Sequence, residues 1–257
     1  MKTECDFIVG VNPILEQLKS RPGEISEILI CRSHFTPRLR AVERQAQERH
    51  IKLTYVTTSE IEQLTQGQRH QGVVARVPPY AYWTLPDLEK NLVSGSGPQW
   101  ILMLDGLNDP RNFGAILRTA EAVGVRHVVI PKDRSVGITP VVIKASAGAI
   151  ARLQIYRVTN LRRAIVSLKN KGFWIAGLDA AAPEVYCRRI YPEKLGIVLG
   201  SEGHGIRPLI AQSCDYLVQI PMRGSMASLN VSVAGAVFLY ELLRQQGSID
   251  KNSPNGY

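Results

Sequence analysis

Apolar residues recur along the chain in two rhythms. Between residues 7 and 76, short stretches with helical spacing alternate with short β-branched runs: a helix near "NPILEQLKS", a strand "EILICR", a helix "PRLRAVERQAQERH", a strand "KLTYV", a helix "SEIEQLT" and a closing strand "GVVARV". That order predicts a compact α/β module. From Trp100 onward the apolar runs are nearly uninterrupted: "WILMLDG", "HVVIP", "LQIYRV", "FWIAGLD", "LGIVLG" and "YLVQIP", separated by helical or loop segments. Strands without a polar face predict a parallel sheet covered by helices on both sides.

The rhythm breaks at Pro78-Pro79, where "YAYWTLPDLEKNLVSGSGP" is aromatic, then proline-containing, then rich in Gly and Ser, as a partly ordered connection would be. The expected organisation is a first domain over residues 1–78, a linker over 79–97, a second domain over 98–246 and a flexible tail over 247–257.

Composition refines this picture. A 257-residue chain with 45% hydrophobic residues has material for two cores, so it is expected to fold rather than remain disordered. The net charge of +9 is unevenly spread: residues 1–78 hold 11 basic and 9 acidic groups, and the remainder holds 20 and 13. A basic second domain suits an anionic polymer, with nucleic acid the leading candidate. Cys5, Cys31, Cys187 and Cys214 lie far apart without a CxxC pair, so neither a metal site nor a disulfide framework is indicated, and they read as reduced core thiols. The N-terminal stretch lacks a signal-peptide apolar region, and no apolar run reaches the length of a membrane span. A cytosolic protein without a membrane partner is expected.

Candidate chemistry gathers where strands of a parallel sheet end, because loops at the carboxyl ends form the ligand crevice of such folds. Three segments stand out. "LDGLNDPRNFGAILRTAEAVG" (104–124) runs from strand to helix through Asp109, Pro110, Arg111 and Asn112, where a nucleotide-binding protein would place a glycine-rich phosphate turn. "IVLGSEGHGI" (197–206) follows its strand with Gly200, Ser201, Glu202, Gly203 and Gly205, a run that lets backbone approach a ligand or simply makes a tight turn. "IPMRGSMASLNVSVAGAV" (220–237) presents Gly224, Ser225, Ala227 and Ser228 before Asn230 opens an apolar helix, where Asn230 or Ser228 would serve equally as an N-cap.

Taken together, "NDPRNFGAILRTAEAVG", "LGSEGHGI" and "IPMRGSMASLNVSVAGAV" resemble, in order and spacing, the three motifs of the SpoU/TrmH family of RNA ribose 2'-O-methyltransferases. The likeness covers residues from about 100 to 244, while "VGVNPILEQL" and "RHQGVVARV" resemble the ribosomal-protein-like substrate-binding domain of the subgroup that methylates guanosine in large-subunit (23S) rRNA. The resemblance implies an α/β SPOUT methyltransferase domain with a trefoil knot near its C-terminus, a homodimer packed through the knotted region, S-adenosylmethionine as cofactor, and RNA as partner. It maps cofactor contacts onto backbone at Gly200, Ile220 and Leu229, and catalytic roles onto Arg118, Asn112, Glu202, Asn230 and Ser228. On this mapping Arg118 is an electrostatic clamp beside the ribose 2'-oxygen, since a guanidinium is a reluctant base. Glu202 would orient Arg118, and Asn230 with Ser228 would bond the ribose or fix their loop. His204, His70 and the helix bearing Arg38, Arg40, Arg44 and Arg49 are secondary candidates. A tRNA methyltransferase, an antibiotic-resistance rRNA methyltransferase and a non-catalytic RNA-binding protein remain as alternatives.

Overall fold

The computed structural model describes residues 6–20, 22–32, 36–65, 70–92 and 97–247. The flexible tail expected over 247–257 falls, beyond Gly247, outside the described residues. Two compact units divide the chain: one holds the described residues up to Ala81 together with Ile138–Lys144, the other Tyr82–Gly137 and the described residues from Ala145 onward.

The first unit runs β1 (Asp6–Val9), α1 (Val11–Ser20), β2 (Glu27–Cys31), α2 (Pro37–Glu48), β3 (Lys52–Val56), α3 (Thr58–Thr65) and β4 (Val73–Val77). Its four-stranded sheet has the order β1-β4-β2-β3, with β2 and β3 parallel and the other pairs antiparallel. Alternation along β2 and β4 sends Ile28, Ile30, Val73 and Ala75 under α1 and α2, where Ile14, Leu18, Leu39 and Val42 complete the core. Leu29, Cys31 and Val74 point to the other face and meet Ile61 of α3. All six elements expected here form, and β1 adds a strand that its four residues "DFIV" were too few to signal. Before β4 the non-glycine residue Gln71 adopts φ 52°, and its Oε1 accepts from the amide of Val11 at 3.1 Å.

The second unit begins earlier than the sequence suggested. Part of the stretch expected as a loose connection is α4 (Leu85–Asn91), capped by reciprocal bonds between Thr84 and Asp87 and anchored by the fully buried Leu88. Trp83 is bridged to Tyr156, exchanging backbone hydrogen bonds with Ile155 and Arg157 at 2.9 Å each. The apolar side of a short capped helix outweighed the proline and glycine that marked the segment as linker.

Then follow β5 (Gln99–Asp105), α5 (Pro110–Ala122), β6 (His127–Pro131), α6 (Pro140–Ala145), which up to Lys144 belongs to the first unit, β7 (Gln154–Val158), α7 (Leu161–Asn170), β8 (Trp174–Leu178), β9 (Glu184–Val185), β10 (Lys194–Gly200), α8 (Pro208–Ala211), β11 (Tyr216–Gln219) and α9 (Val231–Gln245). The seven strands are ordered β7-β6-β5-β10-β8-β11-β9, every pairing parallel, and each of the six apolar runs is one of these strands. Ile101, Met103, Ile175 and Val198 share one face with Leu88 of α4, Leu168 of α7 and Ile210 of α8. α5 and α9 pack together, and α9 also contacts β10. A Cβ on Gly235 of α9 would stand 2.8 Å from Leu199 Cδ1, so glycine is what lets this helix sit close to the sheet.

Candidate active site

β5 leads by its connections to β6 on one side of the sheet and is flanked by β10 on the other, so a crevice opens at the carboxyl ends of β5 and β10, where Asp105 and Gly200 are register partners. The loops after β5 and β10 leave from that crevice. The segment after β11 joins them.

Asp109 opens α5 by accepting from the Arg111 amide at 2.7 Å, the N-cap bond that satisfies a first-turn donor. Three residues on, Asn112 is buried, and its Nδ2 donates both to Asp109 Oδ2 at 3.2 Å and to Glu202 Oε1 at 2.5 Å. Asn230 caps α9: its Oδ1 accepts from the Ser232 amide at 2.9 Å and from the Ser232 hydroxyl at 2.6 Å. Its Nδ2 donates to Asn112 Oδ1 at 3.1 Å and to Glu202 Oε1 at 2.8 Å. A carboxylate only accepts, so both amide orientations follow from the network. All three motifs thus meet in one set of hydrogen bonds. Asn230 is both the N-cap that its position suggested and a member of the site.

Counting donors sharpens the chemistry. Both N–H groups of Asn112 and both of Asn230 are committed, as is Glu202 Oε1, whereas Glu202 Oε2, on an exposed side chain, has no partner among the described residues. The acceptor offered to a ligand is therefore Glu202, and of the two roles expected for Asn230, bonding the ribose or fixing its loop, the bonds seen here are of the second kind.

Glu202 sits in a tight turn closed by paired backbone bonds between Ser201 and Gly205, 3.0 Å each way, with Gly203 at φ 80° and Gly205 at φ 64°. This turn requires glycine at position 200: a Cβ there would lie 2.1 Å from the Gly205 carbonyl carbon and 2.3 Å from the Ile206 nitrogen. The turn's exit is held by Asp105, whose side chain is fully buried and accepts from the Arg207 amide at 2.8 Å and Nε at 2.7 Å. Sequence reasoning nominated neither Asp105 nor Asp109. An acidic residue closing the apolar run "WILMLDG" was the available signal, since a buried carboxylate needs a partner.

The remaining candidates lie outside the network. Arg118 is exposed on α5, six residues and roughly 240° around the helix from Asn112. Among the described residues it forms no hydrogen bond or ion pair with Glu202, which binds the two asparagines, or with Glu121, which pairs with Arg152 at 3.1 Å, so no direct bond here links Glu202 to Arg118. Arg111 shares the exposed stripe of α5, one heptad before Arg118. Ser228 is exposed, and Ile220 and Leu229 are half-buried, at and within the segment from β11 to α9. The main chain of Pro221–Leu229 makes no hydrogen bond to the rest of the described chain, and a Cβ on Gly224 would meet nothing within 4 Å. His204 is exposed in the turn, and in the first unit His70 Nδ1 accepts from the Gly72 amide at 3.1 Å. Arg38, Arg40, Arg44 and Arg49 are all exposed, with Arg44 and Arg49 near Glu48 at 3.7 and 3.8 Å. Among the described residues no group of three or more His, Cys, Asp or Glu could hold a metal ion.

Comparison with known proteins agrees with this geometry. The model of the SpoU rRNA Methylase family matches residues 99–240, which contain every member of the network. The chain belongs to that family. Residues 7–83 match a second family, RNA 2'-O ribose methyltransferase substrate binding. This SpoU methylase is 40% identical over 246 residues to the 23S rRNA (guanosine-2'-O-)-methyltransferase RlmB of Xanthomonas campestris, covering 96% of this chain and 99% of the relative. It is 40% identical over 247 residues to RlmB of Xylella fastidiosa, again covering 96% and 99%. In fold it resembles the SpoU methyltransferase AviRb from Streptomyces viridochromogenes, solved with the cofactor AdoMet, at a TM-score of 0.72 and 23% identity, covering 94% of this chain and 90% of that one.

Proposed function

We propose that this SpoU methylase transfers a methyl group from S-adenosylmethionine to a ribose 2'-hydroxyl, that of a guanosine in 23S rRNA. The observation that carries the reading is the closed network of Asn112, Glu202 and Asn230, which joins the three motif segments at the sheet's switch point and leaves one carboxylate oxygen free.

The donor set fits the cofactor. Main-chain groups of Pro221–Leu229 have no partner in the described chain, and small side chains at Gly224, Ser225 and Ala227 leave them reachable by an adenine edge, with backbone at Gly200, Ile220 and Leu229 as the proposed contacts. S-adenosylmethionine supplies an electrophilic methyl group. Glu202 Oε2 accepts a hydrogen bond from the ribose, Ser228 supports the same loop, and positioning of this kind supplies much of the rate of a displacement reaction. As the 2'-oxygen takes the methyl group, a neutral thioether would leave and the hydroxyl proton would pass to solvent; Arg118, with Arg111 on the same stripe, holds the RNA phosphate and stabilises the negative charge developing on that oxygen, an effect worth about 3 kcal/mol.

The same reading assigns the domains: 1–78 selects the RNA through a ribosomal-protein-like fold, and the second carries the knot and the chemistry. It also takes the enzyme to be a cytoplasmic homodimer, for which the exposed Val233 and Tyr240, seven residues apart on α9, offer an apolar stripe. No helix among the described residues is long and apolar enough to cross a membrane.

Mapping ribose methylation across cellular RNA with and without the protein tests the proposal: one guanosine of 23S rRNA should lose its methyl group. A lost mark in tRNA instead would move the substrate, and an unchanged map together with no S-adenosylmethionine binding by calorimetry would leave only an RNA-binding role. Arg118→Ala should abolish turnover while leaving cofactor affinity nearly intact.

A further inference from the structure

The alternation that buries Ile101 and Met103 beneath α4 and α7 carries Asp105 to the same face, so a carboxylate with no exposed side-chain surface ends a strand of otherwise apolar residues. Nothing in the three motifs requires it. Its Oδ2 takes the Arg207 backbone amide at 2.8 Å, and its Oδ1 takes Arg207 Nε at 2.7 Å and a terminal guanidinium nitrogen at 2.5 Å. The partners are 102 residues apart. One carboxylate oxygen thus holds the guanidinium and the other holds the backbone amide of the same residue, and a buried carboxylate deprived of such a partner is costly.

The turn between Ser201 and Ile206 is therefore stitched at two points. On one side Glu202 is bound by Asn112 and Asn230; at its exit Arg207 is bound by Asp105. Between the stitches Gly203 and Gly205 have positive φ, and neither a Cβ at Gly203 nor one at Gly205 would touch a neighbour, so the tip of the turn stands clear of packing while its base lies against Gly200 and the buried Ile206. We propose that Asp105 and Arg207 form a positioning pair, which fixes the exit of this turn and so sets where Glu202 presents its free oxygen. The pair touches no reacting atom. The inference rests on the methyltransferase reading for its catalytic consequence, but its structural part stands on the free protein.

Two measurements separate those parts. Hydrogen exchange on the unliganded protein should show the amides of Ser201 and Gly205, whose bonds close the turn, exchanging at least tenfold faster in Asp105→Asn than in wild type, while α5 and β5 keep their protection. Unchanged exchange in the turn overturns the pair whatever the protein's activity. In methyl-transfer assays Asp105→Asn should lower kcat at least tenfold, yet slow the Glu202→Gln variant by less than twofold, because the effect travels through Glu202. Equal slowing in both backgrounds would mark a general structural defect and reject the proposal. Arg207→Lys, which keeps the charge but not the Nε donor, should fall between wild type and Arg207→Gln in both measurements.

Discussion

At the scale of single residues, Asn112 has the most specific environment, an amide held between the carboxylates of Asp109 and Glu202. Asn112→Ala would leave both acids without that donor and should cost about 1–3 kcal/mol of stability, read by chemical denaturation. Asn112→Asp should cost more at neutral pH, because three carboxylates would then converge. The thiols offer an independent check. Burial pushes Cys214 up to about 12, and Cys31 is buried beside the Thr58 hydroxyl at 3.2 Å, whereas Cys187 is exposed. At pH 8 in the native state a maleimide should modify Cys187 and spare Cys31 and Cys214, by mass spectrometry of the digested protein. The expectation of four core thiols thus fails at Cys187; Cys5 lies outside the described residues. Motif spacing brought Asn112, Glu202 and Asn230 to notice one by one, but hydrogen-bond partnership across 90 and 118 residues is not encoded in spacing, so the amides' commitments emerge only in the fold.

At the scale of elements, two short pieces carry weight out of proportion to their length. α4 was hidden by the proline at position 86 and the glycines after it, although Thr84 and Asp87 stand at capping-box spacing and Pro86 falls in the first turn, where proline is tolerated. Leu88→Ala should destabilise the second unit by about 2–5 kcal/mol, measured by urea unfolding. A fragment beginning at Tyr82 should fold and bind S-adenosylmethionine, whereas one beginning at Ser96, which lacks Leu88, should melt at a clearly lower temperature. The turn after β10 is the other piece. Gly200→Ala should disrupt it even without ligand, visible as a loss of thermal stability, because the first added carbon meets backbone and not a movable side chain. A variant of unchanged thermal stability would overturn this requirement for glycine.

At the scale of the whole molecule, composition and apolar runs were enough to anticipate two α/β units and a parallel sheet, because each strand's burial is written in its own residues. Strand order was not legible: placing β10 between β5 and β8 depends on contacts between segments nearly a hundred residues apart. The formal charge of +9 should make RNA affinity fall steeply with salt, and a second-unit fragment, which holds most of the surplus, should keep much of that slope while losing selectivity for its target. Filter binding between 50 and 200 mM salt would show it.

The strand-like pairing of Trp83 with β7 has one more consequence. A parallel sheet ends in two rows of unpaired backbone groups that can recruit strands from other molecules. Here one margin is β9, only two residues long, and the other is covered at Tyr156 by Trp83, whose indole also tilts over the Tyr156 ring with centroids 6.5 Å apart. The residue that looked like the start of a tether is thus a guard against self-templating. Trp83→Pro, unable to donate to Ile155, should leave the fold largely intact yet raise the rate of aggregation on prolonged warming, the difference visible in scattered light before any change in the melting curve.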